Sequence, residues 1–208
     1  LDDMNVQCHM CFRNCVIDGN KNIYPKEYCH IFQVGHGNLK NLLLQGIVLR
    51  DSSFGLFQDN KATGSVDKVV VERCIFENNT ASDLEFNAPN GKMTNIVVRN
   101  CLFRNNLCKS AGAGFAVGFA NVKNSKVENC DIRGYGSEAL HVEDRSENIH
   151  LTGNTITGGS LLQGNGVIMV LSDSHNIIVE NNMVDGRSNT NKTHLILVTA
   201  GGNRFRCP

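Results

Sequence analysis

The sequence predicts an all-β protein wound as a single-stranded parallel β-helix, or β-solenoid, of about seven coils. Three observations support this: one phrase returns six times in register, apolar residues alternate within each copy, and long helical patterns are absent. The copies begin at Asn41, Lys68, Asn95, Asn124, Asn148 and Asn176. Such regular spacing indicates stacked coils, because one short unit cannot enclose a core and a stack of units can.

Each copy supplies three short strands. In "NIVVRNCLF" from Asn95, Ile96 and Val98 hold the second and fourth positions, and this spacing indicates a strand with one buried face. After a polar break, a second strand carries one apolar anchor, which is Phe103 in this copy. A third, looser segment such as "SDLEFNAP" alternates again. A less regular earlier turn, "NVQCHMCFRNCVIDGN", adds a further coil.

The residue that follows the polar break is predicted to point inward at a corner of every coil. Cys74, Cys101 and Cys130 share this position with Asn154 and Asn182. Stacked asparagines can bond one another and the turn backbone, and cysteine is small enough for the same slot. Coils lie ~4.8 Å apart, which exceeds the Cβ separation of about 3.8 Å in a disulfide. We therefore expect these three thiols to be free and buried.

The overall charge excludes two classes of partner. The chain has 20 Lys and Arg and 20 Asp and Glu, so nothing in its charge favours nucleic acid or an anionic membrane. No apolar run has the length of a membrane span. The chain begins with Leu1, and we expect one domain, residues 1–208, cut from a longer protein. A missing signal peptide then says nothing about secretion.

The repeated phrases resemble the right-handed parallel β-helix repeats of the pectate-lyase-like superfamily. "CVIDGN" from Cys15 to Asn20 is also similar to the "TIDGNG" phrase of its pectate-lyase-3 and phage tailspike branches. The resemblance covers nearly the whole chain and implies a right-handed helix. Most members act on polysaccharides as lyases, hydrolases, epimerases or tailspike depolymerases, and a minority are non-catalytic.

The catalytic signatures of that superfamily are poorly matched. "GHG" occurs at Gly35 to Gly37, but no Asp-Asp pair precedes it, and His36 is better interpreted as a turn residue. Pectate lyases need a calcium-binding acid cluster and a basic residue, and no lysine or arginine is predicted to point outward beside the best acidic cluster. We therefore predict no cofactor and no metal, with Ca²⁺ possible if the protein is a lyase.

The best candidate site lies on the third segments. Stacking them predicts a coil without outward side chains, made by Gly114, Ala116 and Gly118, between two polar walls. The first wall comprises Asp83, Glu85 and Asn87, with Asp59 one coil further. The second comprises His141, Glu143 and Asp144. The predicted notch could hold a sugar ring, with Phe57 as a stacking platform.

Glycosidic cleavage needs a protonated acid on one side of the bond and a carboxylate or activated water on the other. Asp83 or Glu85 is predicted to be the general acid, because neighbouring carboxylates raise one pKa. Glu143, with His141 beside it, is predicted to activate water. The residues predicted to bind substrate are Phe57, Asp59, Asn87, Ala116 and Asp144. The alternative is that these are solvated surface charges.

Two other patterns carry weaker hypotheses. "CHMC" at Cys8 to Cys11 has half the spacing of a zinc site, but Val6, Cys8 and Met10 alternate like a buried strand, which favours core packing. Two outward apolar groups predict an interface, either in a homotrimer or with another domain of the same chain. They comprise Leu43, Val70, Val97 and Ile178, and then Ile168, Val170, Ile196 and Val198.

Three functions follow from these observations. The first is a polysaccharide hydrolase or lyase, extracellular or on a virion surface if it is a tailspike. The second is a non-catalytic β-helix that binds glycan or protein through the same groove. The third is an intracellular interaction solenoid, which only the count of nine cysteines favours.

Overall fold

The computed structural model describes residues 9–21, 30–34, 38–58, 64–88, 90–108, 113–190 and 193–199, with backbone alone for 33–34 and 57–58. Within these residues the chain forms 21 strands and no helix. The strands form three seven-stranded sheets, and every neighbouring pair for which a register is defined is parallel. The prediction of a parallel β-solenoid of about seven coils is confirmed. No described helix is long and apolar enough to cross a membrane.

Each coil contributes one strand to each sheet. Sheet 1 contains β1 (Met10–Arg13), β4 (Leu39–Gln45), β7 (Val66–Glu72), β10 (Met93–Arg99), β13 (Val122–Glu128), β16 (Glu147–Thr152) and β19 (His175–Glu180). Sheet 2 contains β2 (Val16–Asp18), β5 (Val48–Arg50), β8 (Ile75–Glu77), β11 (Leu102–Asn106), β14 (Asp131–Tyr135), β17 (Thr155–Thr157) and β20 (Met183–Asp185). Sheet 3 contains β3 (His30–Val34), β6 (Phe54–Gln58), β9 (Leu84–Asn87), β12 (Val117–Ala120), β15 (Leu140–Glu143), β18 (Gly166–Val170) and β21 (His194–Val198).

The core runs along the axis of the solenoid. Inward residues of successive coils are in register, so similar side chains stack on one another in neighbouring coils. Phe76 and Phe103 on sheet 2 stack with ring centroids 4.8 Å apart and an angle of 9° between ring planes. Both rings are fully buried, as is Val98 on sheet 1. This continuous burial of apolar area stabilises coils that could not fold singly.

Two positions in each coil have the left-handed backbone conformation, which explains why asparagine recurs. The first, within the strand of sheet 1, is held by Asn41, Lys68, Asn95, Asn124, Asn148 and Asn176. The second, at the bend into sheet 2, is held by Asn14, Gly46, Arg73, Asn100, Asn129, Gly153 and Asn181. Asparagine and glycine adopt this conformation at lower cost than other residues. The polar break in each repeat is therefore a requirement of the backbone.

Replacing Lys68 with asparagine is expected to stabilise the protein. Lys68 has a φ of 58°, in line with asparagines at the same position of other coils. The exchange is expected to raise the free energy of unfolding by about 1 kcal/mol, measured by urea denaturation. Lys126→Asn is the matched control, because Lys126 has no positive φ and donates to Glu128 at 2.9 Å. A Lys68→Asn variant no more stable than this control contradicts the explanation.

The cysteine prediction is confirmed. Cys74, Cys101 and Cys130 are free and at most 3% exposed. The Cys101 thiol lies 3.6 Å from the Val71 carbonyl oxygen. In the same slot, the Asn154 and Asn182 side-chain amides donate to the equivalent carbonyls of Val127 and Leu151 at 3.1 and 2.7 Å.

The neighbouring thiols and burial keep Cys74 and Cys101 in the unreactive thiol form. The neighbouring Cys130 thiol, together with burial, raises the pKa of Cys101 to about 12. The Cys101 thiol and burial likewise raise the pKa of Cys74. Since the thiolate is the reactive form, these residues are structural.

Cys101→Asn is expected to be tolerated better than any larger apolar replacement. The new amide can donate to the Val71 carbonyl, as Asn154 does to Val127. Cys101→Leu instead overpacks the corner and is expected to cost about 1–3 kcal/mol. Urea unfolding of both variants checks the prediction. If the leucine variant is the more stable, the slot does not select for a donor.

The predicted apolar interface needs correction. Ile168 and Val170 are fully buried and point inward, because Met169 between them is in register with the outward His141. On sheet 1, Lys126 and His150 interrupt the outward apolar column between Val97 and Ile178. A homotrimer or packing against another domain stays a prediction without a continuous apolar stripe to support it.

Candidate active site

The outer face of sheet 3 carries two rows of side chains across neighbouring coils. Glu85, Gly118 and His141 are in register on β9, β12 and β15. Two residues further along the same strands, Asn87, Ala120 and Glu143 form the second row. The prediction that Glu85, His141 and Glu143 share one face of the solenoid is therefore met by the strand register.

Ala116 does not belong to these rows, and its predicted place in the notch is wrong. The backbone of Leu84 donates to the Ala116 carbonyl at 3.1 Å, which places Ala116 two residues before the position assigned from sequence. Ala116 is fully buried. The loop before β12 is longer than the loops before the neighbouring β9 and β15, so alignment of the third segments shifted this coil. Gly118 is the bare residue between Glu85 and His141.

Asp83 lies inside the solenoid, so the prediction that it lines the groove is also wrong. It is fully buried at the corner between sheets 2 and 3. Its carboxyl group accepts hydrogen bonds from the Tyr135 hydroxyl and from the Asn79 amide, the latter at 2.5 Å. Burial raises its pKa to about 7, although the bonds from Tyr135, Asn79 and Asn106 act in the opposite direction. Asp83 precedes β9, where the alternation of the strand does not hold.

The predicted notch is filled by Phe115. A Cβ atom on Gly118 would lie only 2.6 Å from the Phe115 ring, so the ring covers this glycine. The ring also stacks on His141, with centroids 4.4 Å apart and 22° between planes. A pocket of about 70 Å³ is left between Glu85, Asn87, His141 and Glu143.

Glu85 and Glu143 have their pKa values shifted in opposite directions. Burial raises the pKa of Glu85, partly offset by a hydrogen bond from Ser82 and by His141. His141 lowers the pKa of Glu143, and its Nε2 lies 3.2 Å from Glu143 Oε2. The surroundings therefore favour the protonated form of Glu85 and the ionised form of Glu143.

His141 is 4% exposed. Its Nε2 lies 3.2 Å from Glu143 Oε2 but outside hydrogen-bond geometry, and its Nδ1 has no hydrogen-bond partner among the described residues. The ring is one of the side chains that line the pocket. Since buried polar atoms are normally paired, this nitrogen marks a place where a ligand or water would gain a bond.

A model of the family described as "Right handed beta helix region" matches residues 64–206. The chain belongs to the right-handed β-helix family. Comparisons with curated proteins and with solved structures give no match. The family therefore supports the fold and its hand, while the pectate-lyase-like and tailspike resemblances concern the finer type.

Of the remaining predicted site residues of this right-handed β-helix, the structure places Asn87 in the pocket and Asp144 in the turn after β15. Asn87 is half-buried and lines the pocket. Asp144 is exposed in a left-handed turn after β15, with a φ of 53°. The backbone of Phe57 is in register with Glu85. Asp59 and His36 lie outside the described residues.

Metal-binding clusters are absent from the part of this β-helix that the structure describes: no three His, Cys, Asp or Glu side chains there could hold an ion together. Cys8 of the "CHMC" motif lies outside that part, and Cys11 is exposed. Met10 is in register with the inward Leu42 but is 38% exposed at the first coil.

Proposed function

We propose that this right-handed β-helix is a polysaccharide-acting enzyme, with its active site on the outer face of sheet 3 and inverting glycoside hydrolysis as its chemistry. The observation that supports the proposal is the opposite pKa shift of Glu85 and Glu143 beside one pocket. Two carboxyl groups whose environments separate their pKa values suit a general acid and a general base.

In the proposed reaction, Glu85 donates its proton to the glycosidic oxygen as the bond to the anomeric carbon breaks. Glu143, held ionised by His141, removes a proton from a water that attacks the opposite face of that carbon. β9 and β15 are separated by one intervening strand, β12, and Glu143 lies two residues beyond the register partner of Glu85, which puts the two Cα atoms ~12 Å apart. Both side chains line the pocket between these positions, so the carboxyl groups extend toward each other. Inverting enzymes hold their carboxyl groups roughly 6.5–9.5 Å apart, leaving room for the water.

The two pKa shifts set the pH range of the reaction. Activity needs ionised Glu143 and protonated Glu85. As the pH is increased, activity should therefore rise near the lowered pKa of Glu143 and fall near the raised pKa of Glu85. A polysaccharide substrate would place the protein outside the cell, or on a virion surface if it belongs to the tailspike type.

A panel of neutral, amino and acidic polysaccharides tests the proposal. New reducing ends without an unsaturated product, which absorbs in the ultraviolet, are expected for a hydrolase. Reducing ends with that absorbance would replace hydrolysis by a lyase reaction, in which case a requirement for Ca²⁺ should be examined. The absence of any product from every polymer would remove the enzymatic proposal.

The second candidate is a non-catalytic module that binds glycan or protein through the same groove. It is favoured by Phe115, whose ring leaves only a pocket of about 70 Å³. Affinity electrophoresis on the same panel separates the candidates, because a binding module would be retarded by a polymer that it does not cleave.

A further inference from the structure

We propose that the ring of Phe115 occupies the central sugar subsite of this groove, and that substrate binds by displacing it. The proposal rests on the proposed function, since it concerns access to Glu85, His141 and Glu143. It makes Phe115 the residue that determines whether a sugar ring can reach the two glutamates.

The position of the ring supports this assignment. Gly118 stands between Glu85 and His141 in one row, and the Phe115 ring lies directly on it. Glu143 lies two residues after His141 on β15, and Glu85 lies on the opposite side of Gly118, on β9. A sugar ring bridging the acid and the base must therefore use the space that Phe115 fills.

The ring also seals a polar group that would otherwise be available. Phe115 and His141 are each 4% exposed and stack on one another. His141 Nδ1 is left without a partner among the described residues. A buried imidazole nitrogen without a hydrogen bond is unfavourable, so a polar group of the substrate or a water that enters the vacated space and reaches the plane of the His141 ring would gain a bond.

The space that remains beside the Phe115 ring is small for a ligand site. The pocket of about 70 Å³ is well below the roughly 300–1,000 Å³ typical of ligand sites. Gly114 immediately precedes Phe115 with a φ of 87°, a conformation that a larger residue rarely adopts. The backbone of Phe115 is held by hydrogen bonds with Ser82 and Asp83, so displacement of the ring turns the side chain about its own torsion angles.

Phe115→Ala tests the proposal with two measurements. The first is the rate at which diethyl pyrocarbonate modifies His141, followed by mass spectrometry, which should rise about tenfold or more when the ring is removed. The second uses the polymer cleaved most rapidly in the panel. Its KM should fall about tenfold with little change in kcat, because binding no longer includes opening of the site.

Phe115→Leu is a second variant that guards against misfolding, and Phe103→Leu is its matched control. Phe103 is fully buried on sheet 2 and stacks on Phe76, away from the pocket, so its exchange should reduce thermal stability and leave KM unchanged. Circular dichroism must show native strand content in every variant compared.

Four outcomes decide the matter. A KM that rises or stays constant in Phe115→Ala overturns the proposal alone, as does His141 in the wild-type protein reacting as fast as in the variant. A polymer cleaved only by Phe115→Ala supports it. If neither protein cleaves or binds any polymer, the inference and the proposed function fail together.

Discussion

Replacing Glu85 or Glu143 with glutamine is expected to reduce turnover by about a hundredfold or more, the loss expected when general acid or base help is removed. Glutamine keeps the shape of the side chain but cannot donate the proton of Glu85 or accept a proton as Glu143 does. Affinity for the polymer should change little, because neither exchange alters the walls of the groove. Initial rates of reducing-end release, with affinity electrophoresis for binding, provide the measurement.

The control is Glu180→Gln, a half-buried glutamate at the end of β19 on sheet 1. It loses the same charge on a different face and should retain full activity. If activity is found and both groove variants keep it, the chemistry lies on another face of the solenoid. In that case Glu85 and Glu143 are surface charges.

Asp83→Asn is expected to remove a large part of the pH dependence of stability. Asp83 is fully buried, and its pKa is raised from 3.8 to about 7. The folded protein therefore holds this proton more tightly than the unfolded chain. The resulting stabilisation is complete below pH 3.8 and is lost as the pH rises to about 7, by up to about 4 kcal/mol.

Urea denaturation between pH 4 and pH 8 checks this expectation. The wild-type free energy of unfolding should fall more steeply with pH than that of Asp83→Asn, so the variant should gain relative stability at pH 8. Asp185→Asn is the control, because Arg187 lowers the pKa of Asp185 to about 2, below this range. Parallel pH curves for wild type and Asp83→Asn would show that Asp83 does not titrate there.

The coil architecture could be predicted because it depends on residues that every coil repeats. The left-handed positions favour asparagine or glycine, and the corner slot mostly holds cysteine or asparagine, so both recur in sequence. Alternation inside β9 and β15 likewise placed Glu85, His141 and Glu143 on one outer face. Within a strand, successive side chains point to opposite faces, so the direction of one side chain fixes the direction of the next.

The same reasoning failed one or two residues outside the strands. Asp83 precedes β9 and turns inward to Tyr135, while Phe115 precedes β12 and folds outward over Gly118. Loops of unequal length enter sheet 3, so neither the register of Ala116 nor these two directions follow from the repeat. An aromatic residue three positions before a bare glycine was the available signal for Phe115.

A carbon NMR titration of the glutamate side chains tests most directly whether Glu85 and Glu143 form an acid–base pair. Selectively labelled protein, with Glu85→Gln and Glu143→Gln for assignment, reports the pKa of each carboxyl group without any knowledge of the substrate. The structure predicts that Glu85 titrates above the usual range of glutamate and Glu143 below it. Two glutamates that titrate together at an ordinary value would contradict the assignment of a general acid and a general base to this groove.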